Sequence, residues 1–420
     1  MSQLLLKNAT IVTSNGSDHP QDVLITNGTI ERIAPGIEAE KAETITSDHL
    51  MVSSGWFDLH VNFRDPGFEY KEDLTSGTQA AARGGFTGVA CMPATHPVVD
   101  SKSGVDYIRN ATRDALVDVH PIGALSKARN GKELSELYDM HQAGAIAFSD
   151  DKRTVHDTDL LKRALLYCRD FNGLVMHYPN DPHLSGEGKM NEGVMSTQLG
   201  LKGMPALAEE INVARDLALL EYTGGRLHFS TISTAGSVEL IRQAKQRGLA
   251  VSAEVAAHNL VLNDEALDHF DTNYKVLPPL RTAADQEALK AGLLDGTIDA
   301  ICSDHQPENE ENKKRELDHA SFGMTGLETA FAVVNMHLGD ALSVPQLVNV
   351  LSWRPREILG LPVPAIAAGE PANLTVFDPT LGWTYATSSV RSKSYNSPFL
   401  NQQLTGKVLA VVNNGSYECF

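Results

Sequence analysis

The central part of this 420-residue chain alternates short apolar segments with segments that have the periodicity of a helix. Eight segments are predicted to be buried strands: residues 55–62, 86–92, 118–123, 144–149, 173–178, 226–231, 249–254 and 298–304. The clearest helices between them are predicted at Leu74–Arg83, His156–Phe171 (capped by Asp157), Ala206–Tyr222, Ala235–Arg247 and Ala283–Leu294. Repeated strand–helix units favour the α/β class, with a (β/α)8 TIM-like barrel as the architecture. A doubly wound open sheet is the alternative, but no Gly-x-Gly-x-x-Gly fingerprint follows the first strand.

The two ends of the chain have a different texture, because their patterns are those of strands and turns. Residues 3–50 contain several strand patterns and a two-residue hairpin signal at Asn27-Gly28. Similar strand patterns return at residues 372–378 and 406–415. We therefore predict one small β-sandwich assembled from residues 1–54 and 363–420, and a barrel formed by residues 55–362.

Composition limits the classes of function. The formal charge of −18 argues against nucleic acid or an anionic membrane surface as a partner. A run of about 18 apolar residues is missing, and the N-terminus lacks the layout of a signal peptide, so we expect a cytoplasmic protein. The four cysteines are far apart in the sequence, and Cys91 and Cys302 lie in apolar segments, which predicts buried reduced thiols.

Polar side chains collect at the predicted carboxyl ends of the strands, where a barrel of this kind carries its chemistry. The first strand ends with His60, Asn62 and Arg64. The ends of four later strands carry further polar residues: Asp150 and Asp151, His177, Thr231, and Asp304. Five strands with polar residues at the same end predict a shared site at one mouth of the barrel.

Sequence motifs along the whole chain are similar to those of one enzyme family. They are Gly55–Gly67, Gly84–Gly88 with Met92-Pro93, Phe148–Asp151, His228–Thr234, Ala253–Val255 with His258, Pro278–Arg281, Ser303–Pro307, Gly326–Thr329, Asn396–Phe399 and Gly406–Val408. On these motifs the chain resembles a dihydroorotase of the cyclic amidohydrolase superfamily, as a divergent member with a degraded metal site. The resemblance implies a barrel with a sandwich of both termini, and the interconversion of dihydroorotate and carbamoyl-aspartate in pyrimidine biosynthesis. It also implies zinc, which polarises the cyclic amide and lowers the pKa of a bound water toward about 7.

The same resemblance assigns roles to individual residues. The metal ligands of the family match His60, Asp151 (or its neighbour Asp150, which is less preferred), His177 and Asp304. Asp304 also matches the residue that moves the proton in catalysis. Arg64 matches the residue that binds the carboxylate of the substrate.

Five positions depart from the family pattern. Two stand where metal-binding histidines are expected, and three stand where the substrate is held: Asn62 and Thr231, then Ala94, Leu277 and Glu308. Amide and hydroxyl oxygens are weak zinc ligands beside imidazole, so the remaining set predicts one zinc ion per chain or none. Glu308 would also repel an anionic substrate, and each lost charge-assisted or polar contact costs roughly 1.5–3 kcal/mol.

Two further histidines are candidate replacement ligands. His228 lies three residues before Thr231, an odd offset that predicts the opposite face of the strand. His96 lies in the loop after the second strand, where the role of an ordinary loop residue is favoured. The charged segment 308–316 occupies the place of a family lid, and a solvated loop is favoured there.

Two functions of different class are compatible with these residues. In the first, the chain is a dihydroorotase-family protein with weak or lost catalysis that acts as a structural partner of aspartate transcarbamoylase, with which the family associates. In the second, it is an active cyclic amidohydrolase with one metal ion, acting on dihydroorotate or a related ring. We favour the first for the chemistry, and we expect a homodimer.

Overall fold

The computed structural model describes residues 3–14, 16–17 and 19–420. In this part of the chain, parallel strands form a closed ring surrounded by helices, which confirms the predicted barrel. Its regular strands are Trp56–Val61, Phe86–Cys91, Asp118–Pro121, Val175–His177, Leu227–Phe229, Val251–Ala256 and Ala300–Cys302. The ring closes where Val61 pairs in parallel with His305, and the Asn62 amide donates to the His305 carbonyl over 3.0 Å.

The fourth position of the ring differs from the strand predicted over residues 144–149. Only Phe148 keeps strand pairing there, to Gly123 on one side and to Val175 on the other. Gly144 ends the preceding helix with a φ of 107°, and Asp151 has a φ of 53°, so the backbone turns at both ends of the segment. The segment is too short for a regular strand, yet it completes the ring as strand 4 of eight.

Helices cover the outside of the barrel, and the predicted ones are present with small shifts at their ends. They are Leu74–Arg83, Thr158–Arg169, Leu207–Thr223, Ala235–Gln246 and Ala283–Leu294. Further helices are Lys102–Ala111, Leu137–Ala143, Pro182–Ser185, Val194–Leu199, Ala257–Val261, Glu310–Lys313, Ala330–Leu338, Val344–Val348 and Arg354–Leu359. Asp157 caps the Thr158–Arg169 helix, as predicted, because its carboxylate accepts from the amides of Asp159 and Leu160.

Strands from both ends of the chain form a curled sheet beside the barrel. They are Gln3–Thr13, Gly16–Ser17, Gln21–Thr26, Thr29–Ala34, Glu43–Ile45, Met51–Ser54, Leu374–Thr384, Gln403–Asn413 and Ser416–Cys419. The ends meet where Met51–Ser54 pairs in antiparallel register with Leu374–Thr384. Apolar side chains of both ends pack into one core, including those of Leu4, Val23, Leu374 and Val412. The sheet therefore depends on both termini for its core.

Aromatic side chains join the barrel to this sheet. The Trp56 ring at the start of strand 1 lies 4.7 Å from the Phe331 ring and 5.2 Å from the Phe377 ring, measured between centroids. The indole of Trp353 donates to the Ser54 hydroxyl over 2.7 Å. These contacts fix the first barrel strand, and with it the mouth residues that follow.

Two sequence expectations concern the chain as a whole. In residues 3–14, 16–17 and 19–420, none of the helices is both long and apolar enough to cross a membrane. Cys91 and Cys302 are buried free thiols, as predicted from their apolar segments.

Candidate active site

The mouth of the barrel is built on strand ends with an unusual backbone. Four residues there that are not glycine have left-handed φ angles, namely Arg64 (62°), Asp151 (53°), Thr231 (52°) and Asp304 (47°). This conformation is costly for side chains with a Cβ, and most of all for β-branched threonine. Such residues concentrate at functional sites, so the backbone marks this mouth as the site that the sequence predicted.

His60 is held between two carboxylates at the centre of the mouth. Its Nδ1 lies 2.9 Å from Glu254 Oε1, and its Nε2 lies 2.9 Å from Asp151 Oδ1. Burial and the Lys152 charge act to lower the pKa of His60, but the two carboxylates outweigh them and raise it to about 9. The ring is therefore an imidazolium near neutral pH, with both nitrogens used as donors.

The contact with His60 also changes the pKa of Asp151. Burial acts to raise the pKa of its carboxyl, but the hydrogen bond with His60 and the Arg129 charge lower it below the usual range. Asp151 is thus a buried carboxylate that is compensated by two cations.

Lys152 places an ammonium group where three strand ends meet. Its Nζ lies 2.8 Å from Asp304 Oδ1 and donates to the Thr231 hydroxyl over 2.8 Å. The same nitrogen lies 5.3 Å from the centre of the Tyr178 ring, within the range of a cation–π contact. The side chain is 11% exposed, whereas that of Asp304 is 2% exposed. The proposed catalytic carboxylate is therefore already paired with a cation of its own chain.

The structure does not bring His177 and Asp150 to this cluster. His177 Nδ1 lies 2.6 Å from Asp216 Oδ2, and its Nε2 accepts from the Val155 amide over 3.0 Å. The Asp150 carboxylate accepts from the amide and the hydroxyl of Ser126. Of the predicted aspartate pair, Asp151 is the one that reaches His60.

Arg64 reaches over the rim of the mouth and contacts groups of its own chain. It donates to Gln306 Oε1 over 3.1 Å, and its Nη2 lies 3.5 Å from Glu308 Oε1. The Lys71 ammonium lies 2.8 Å from the second oxygen of Glu308. The side chain predicted to bind a substrate carboxylate thus faces an internal one.

The remaining divergent positions supply little polar chemistry to the mouth. Ala94 is buried and Leu277 is half-buried. Asn62 is 1% exposed, and its Nδ2 has no hydrogen-bond partner in the described ranges. His96 is exposed in its loop.

His228 corrects an expectation from strand alternation. It does not point away from the site, since its Nε2 lies 3.4 Å from Glu254 Oε2, on the carboxylate that also holds His60. The regular strand ends at Phe229 and Thr231 has a left-handed φ, so an odd offset no longer means the opposite face.

The donor set does not fit a metal ion in this arrangement. His60 Nε2 approaches Asp151 Oδ1 at 2.9 Å and Asp304 Oδ1 at 3.7 Å, but the Lys152 ammonium lies on that same Asp304 oxygen. A metal ligand needs a free lone pair, and His60 Nε2 and Asp304 Oδ1 each already face a charged group of the same chain. Over residues 3–14, 16–17 and 19–420, no group of three or more His, Cys, Asp or Glu side chains is arranged to hold an ion.

Sequence reasoning missed several residues that shape this mouth. Lys152 directly follows Asp151, and Glu254 lies within the buried strand Val251–Ala256. A charged side chain in an otherwise buried strand is itself a signal, because burial without a partner is costly. Lys71 lies in a loop and carried no comparable signal.

Known proteins with similar sequences cover nearly the whole chain. A family model described as dihydro-orotase-like matches residues 49–237. A dihydroorotase from Thermoanaerobacter sp. (strain X514) is 43% identical over 416 residues, which are 98% of this chain and 96% of that protein. A dihydroorotase from Citrifermentans bemidjiense is 44% identical over 416 residues, with 98% of each chain covered.

Solved structures with a similar fold are those of hydantoinases and dihydropyrimidinases. An L-hydantoinase (dihydropyrimidinase) from Arthrobacter aurescens superposes with a TM-score of 0.86 at 23% identity, covering 100% of this chain and 98% of that chain. The dihydropyrimidinase from Brevibacillus agri NCHU1002 gives a TM-score of 0.83 at 23% identity, covering 99% and 94%. At this identity the similarity establishes the fold.

The chain therefore has the fold of the hydantoinase and dihydropyrimidinase structures. The full-length relatives decide the family. The chain belongs to the dihydroorotase family.

Proposed function

We propose that this chain is a cytoplasmic protein of pyrimidine biosynthesis in which the dihydroorotase reaction is weak or lost, and that it serves as a structural partner of aspartate transcarbamoylase. The observation that carries the proposal is the Lys152 ammonium, 2.8 Å from Asp304 Oδ1 and 2.8 Å from the Thr231 hydroxyl. An ammonium at that place neutralises the carboxylate that would hold a metal or move a proton.

The partner role is supported by the contrast between scaffold and chemistry. The fold and the left-handed strand ends of the mouth are present, as at Asp151 and Asp304. Asn62 and Thr231 stand at positions where the reaction would need metal-binding histidines. A protein that serves only as a structural partner would keep the fold and could lose the residues needed for catalysis. A homodimer is part of this proposal.

The direct test combines a metal count with an activity assay. Purified full-length protein is analysed for zinc by mass spectrometry, and ring opening of dihydroorotate is then measured with saturating zinc added. We expect less than stoichiometric metal and no turnover above background. One metal ion per chain with turnover of about 1 s⁻¹, an ordinary enzyme rate, would contradict the proposal.

A second test rebuilds the metal site. The variant with Asn62→His, Thr231→His and Lys152→Ala restores two imidazoles and removes the competing ammonium, so we expect it to take up zinc. The matched control carries the two histidines but keeps Lys152. Equal zinc uptake by both variants would show that Lys152 does not exclude the metal.

The partner is tested by co-purification with aspartate transcarbamoylase of the same organism. We expect one complex by size-exclusion chromatography at micromolar concentrations of both proteins. Elution of two separate species would argue against the structural role.

The competing function is an active amidohydrolase with one metal ion. It is favoured by the approach of three donor atoms on His60, Asp151 and Asp304, with distances of 2.9 and 3.7 Å from the imidazole nitrogen. That function would require the Lys152 ammonium to leave Asp304. The metal count and the assay above separate the two functions.

A further inference from the structure

The barrel helix Leu207–Thr223 presents an apolar stripe to solvent. Five exposed and uncharged residues form this stripe: Leu207, Ile211, Ala214, Ala218 and Tyr222. At 100° per residue their positions lie within about 80° of the helix circumference. They therefore form one continuous face, which is about 22 Å long at 1.5 Å per residue.

The large side chains of the stripe lie at its two ends. Leu207 is 51% exposed and Ile211 is 45% exposed, while Tyr222 at the other end is 77% exposed. The short helix Pro182–Ser185 packs beside this helix and adds another exposed apolar side chain, that of Leu184. A row of exposed apolar side chains of this kind on a soluble protein is typical of a surface that another protein covers.

The shape of the stripe is complementary to itself when its direction is reversed. The small residues Ala214 and Ala218 lie between the large ends. When a second copy of the helix packs antiparallel about a two-fold axis near Ala214, Ile211 of each copy faces Ala218 of the other. A large side chain then meets a small one on both sides of the axis, so the two helices can approach closely. The same surface serves both copies, as two-fold symmetry requires.

The charges at the two ends of the stripe favour the same arrangement. Glu210 lies in the first turn of the helix. At the last turn, Arg169 donates to the Thr223 carbonyl over 2.9 Å, and Arg247 Nη1 lies 2.9 Å from Glu221 Oε2. Antiparallel packing brings the acidic first turn of each copy toward the arginines at the last turn of the other, and it also opposes the two helix dipoles.

We propose that the exposed face of Leu207–Thr223 is the contact surface between two copies of this chain, with the two helices antiparallel. The inference rests on the homodimer of the proposed function and specifies its surface. A second copy is the partner because both the shape and the charges of the stripe are complementary to those of the same stripe in reverse.

The molar mass of the full-length protein in solution tests this surface. It is measured by size-exclusion chromatography with light scattering at 0.15 M salt, where screening reduces the repulsion between two chains of formal charge −18. We expect twice the chain mass of 45.4 kDa for the wild-type protein. Ala214→Arg places two like charges beside the axis, so we expect this variant to be a monomer.

A second variant and a matched control accompany this measurement. Tyr222→Ser changes a solvent-exposed side chain and provides the test if Ala214→Arg does not fold. We expect it to raise the Kd of the dimer by about tenfold or more, as is common for an interface tyrosine. Ala291→Arg adds the same charge at an exposed alanine of the Ala283–Leu294 helix and should remain a dimer.

Cross-linking tests the direction of the two helices. Ile211→Cys combined with Ala218→Cys should give a covalent dimer under mild oxidation, because the two positions meet across the axis only in antiparallel packing. Two turns of helix separate them within one chain, too far for an internal disulfide. Ile211→Cys alone is the control and should run as a monomer on a non-reducing gel. Equal cross-linking of the single variant, or none in the double variant, would contradict the antiparallel arrangement.

The outcomes separate this inference from the proposed function. A wild-type dimer that persists in both Ala214→Arg and Tyr222→Ser would overturn the inference and leave the homodimer intact. A monomeric wild-type protein would contradict the homodimer as well. Loss of a complex with aspartate transcarbamoylase in Ala214→Arg, when the wild-type protein by itself is a monomer, would assign this face to that partner and overturn the inference.

Discussion

The Lys152 ammonium and the His60 ring bring two positive charges into a mouth that also holds the carboxylates of Asp151, Asp304 and Glu254. Charges of opposite sign within hydrogen-bond distance compensate the loss of hydration that burial imposes. The mouth is therefore organised as an internal network of ion pairs. Removal of one member leaves an uncompensated charge behind.

Lys152→Met tests this network through the stability of the protein. The substitution keeps an unbranched side chain but leaves the buried Asp304 carboxylate without its nearest cation, which we expect to lower the free energy of unfolding by roughly 3 kcal/mol. Urea denaturation followed by circular dichroism measures the change. Lys162→Met is the control, because Lys162 pairs with Asp159 on the surface and such pairs contribute about 0–1 kcal/mol. Equal losses in both variants would mean that Lys152 is an ordinary surface lysine.

Glu328 gives a pH dependence that can be predicted with its sign. Burial raises the pKa of its carboxyl from 4.5 to about 7, although amides of Arg391 and Ser392 donate to it. The folded protein therefore holds this proton at pH values where the unfolded chain has lost it. The stabilisation is complete below about pH 4.5 and is lost as the pH rises through 7, by up to about 1.4 kcal/mol per pH unit.

The measurement compares the wild-type protein with Glu328→Gln by urea denaturation at pH 5, 6, 7 and 8. The glutamine does not titrate, so the difference between the two proteins should change with pH in the direction given above. Glu310→Gln, at an exposed glutamate, should follow the wild-type curve. Parallel curves for the wild-type protein and Glu328→Gln would rule out a buried proton.

At the scale of helices and strands, local sequence signals predicted the structure correctly where the two interacting groups belong to the same element. The Thr158–Arg169 helix begins at the cap that Asp157 predicts, because the cap and the amides it satisfies are neighbours in sequence. The prediction of a regular strand 4 was wrong because left-handed backbone at Gly144 and Asp151 turns the chain at both ends of the segment. The predicted direction of the His228 side chain was wrong because Thr231 also has a left-handed φ, which ends the strand alternation.

The contribution of the Asp157 cap to stability can be tested by comparison with the residue at the N-cap position of another helix. Asp157→Ala removes a side chain that accepts from two amides, and we expect a loss of about 1 kcal/mol in the free energy of unfolding. Ser101 precedes the Lys102–Ala111 helix but makes no side-chain cap bond, so Ser101→Ala should change the value by less than about 0.5 kcal/mol. Urea denaturation of the two variants checks this, and an equal effect would contradict the role of the cap.

At the scale of the whole molecule, the two ends of the chain complete one sheet. Gln403–Asn413 pairs with Leu374–Thr384 on one side and with Ser416–Cys419 on the other. Asn335, on a barrel helix, donates to the Thr405 carbonyl over 3.0 Å, which links the same strand to the barrel. The last strands therefore contribute to both bodies.

Deletion of residues 403–420 tests this dependence. Loss of the inner strand Gln403–Asn413 opens the core between the two ends, so we expect no cooperative thermal unfolding, and we expect aggregation on size-exclusion chromatography. Deletion of residues 416–420 is the control, because it removes only an edge strand and should leave a cooperative transition at a lower temperature. A cooperative transition in the longer deletion would show that the barrel folds without the sheet.

The sequence by itself determined the barrel, the sheet of both ends and the strand ends that carry polar residues. Periodicity and residue type are local properties, so they can be read without the fold. The tertiary structure alone decided which side chains meet: Glu254 with His60, Lys152 with Asp304, and Glu308 with Lys71. These partners come from loops and strands that are far apart in the chain. Left-handed backbone at the strand ends also changes the direction of some of these side chains. Each pairing is the outcome of a competition among several nearby charges, and the sequence pattern does not contain the distances that settle it.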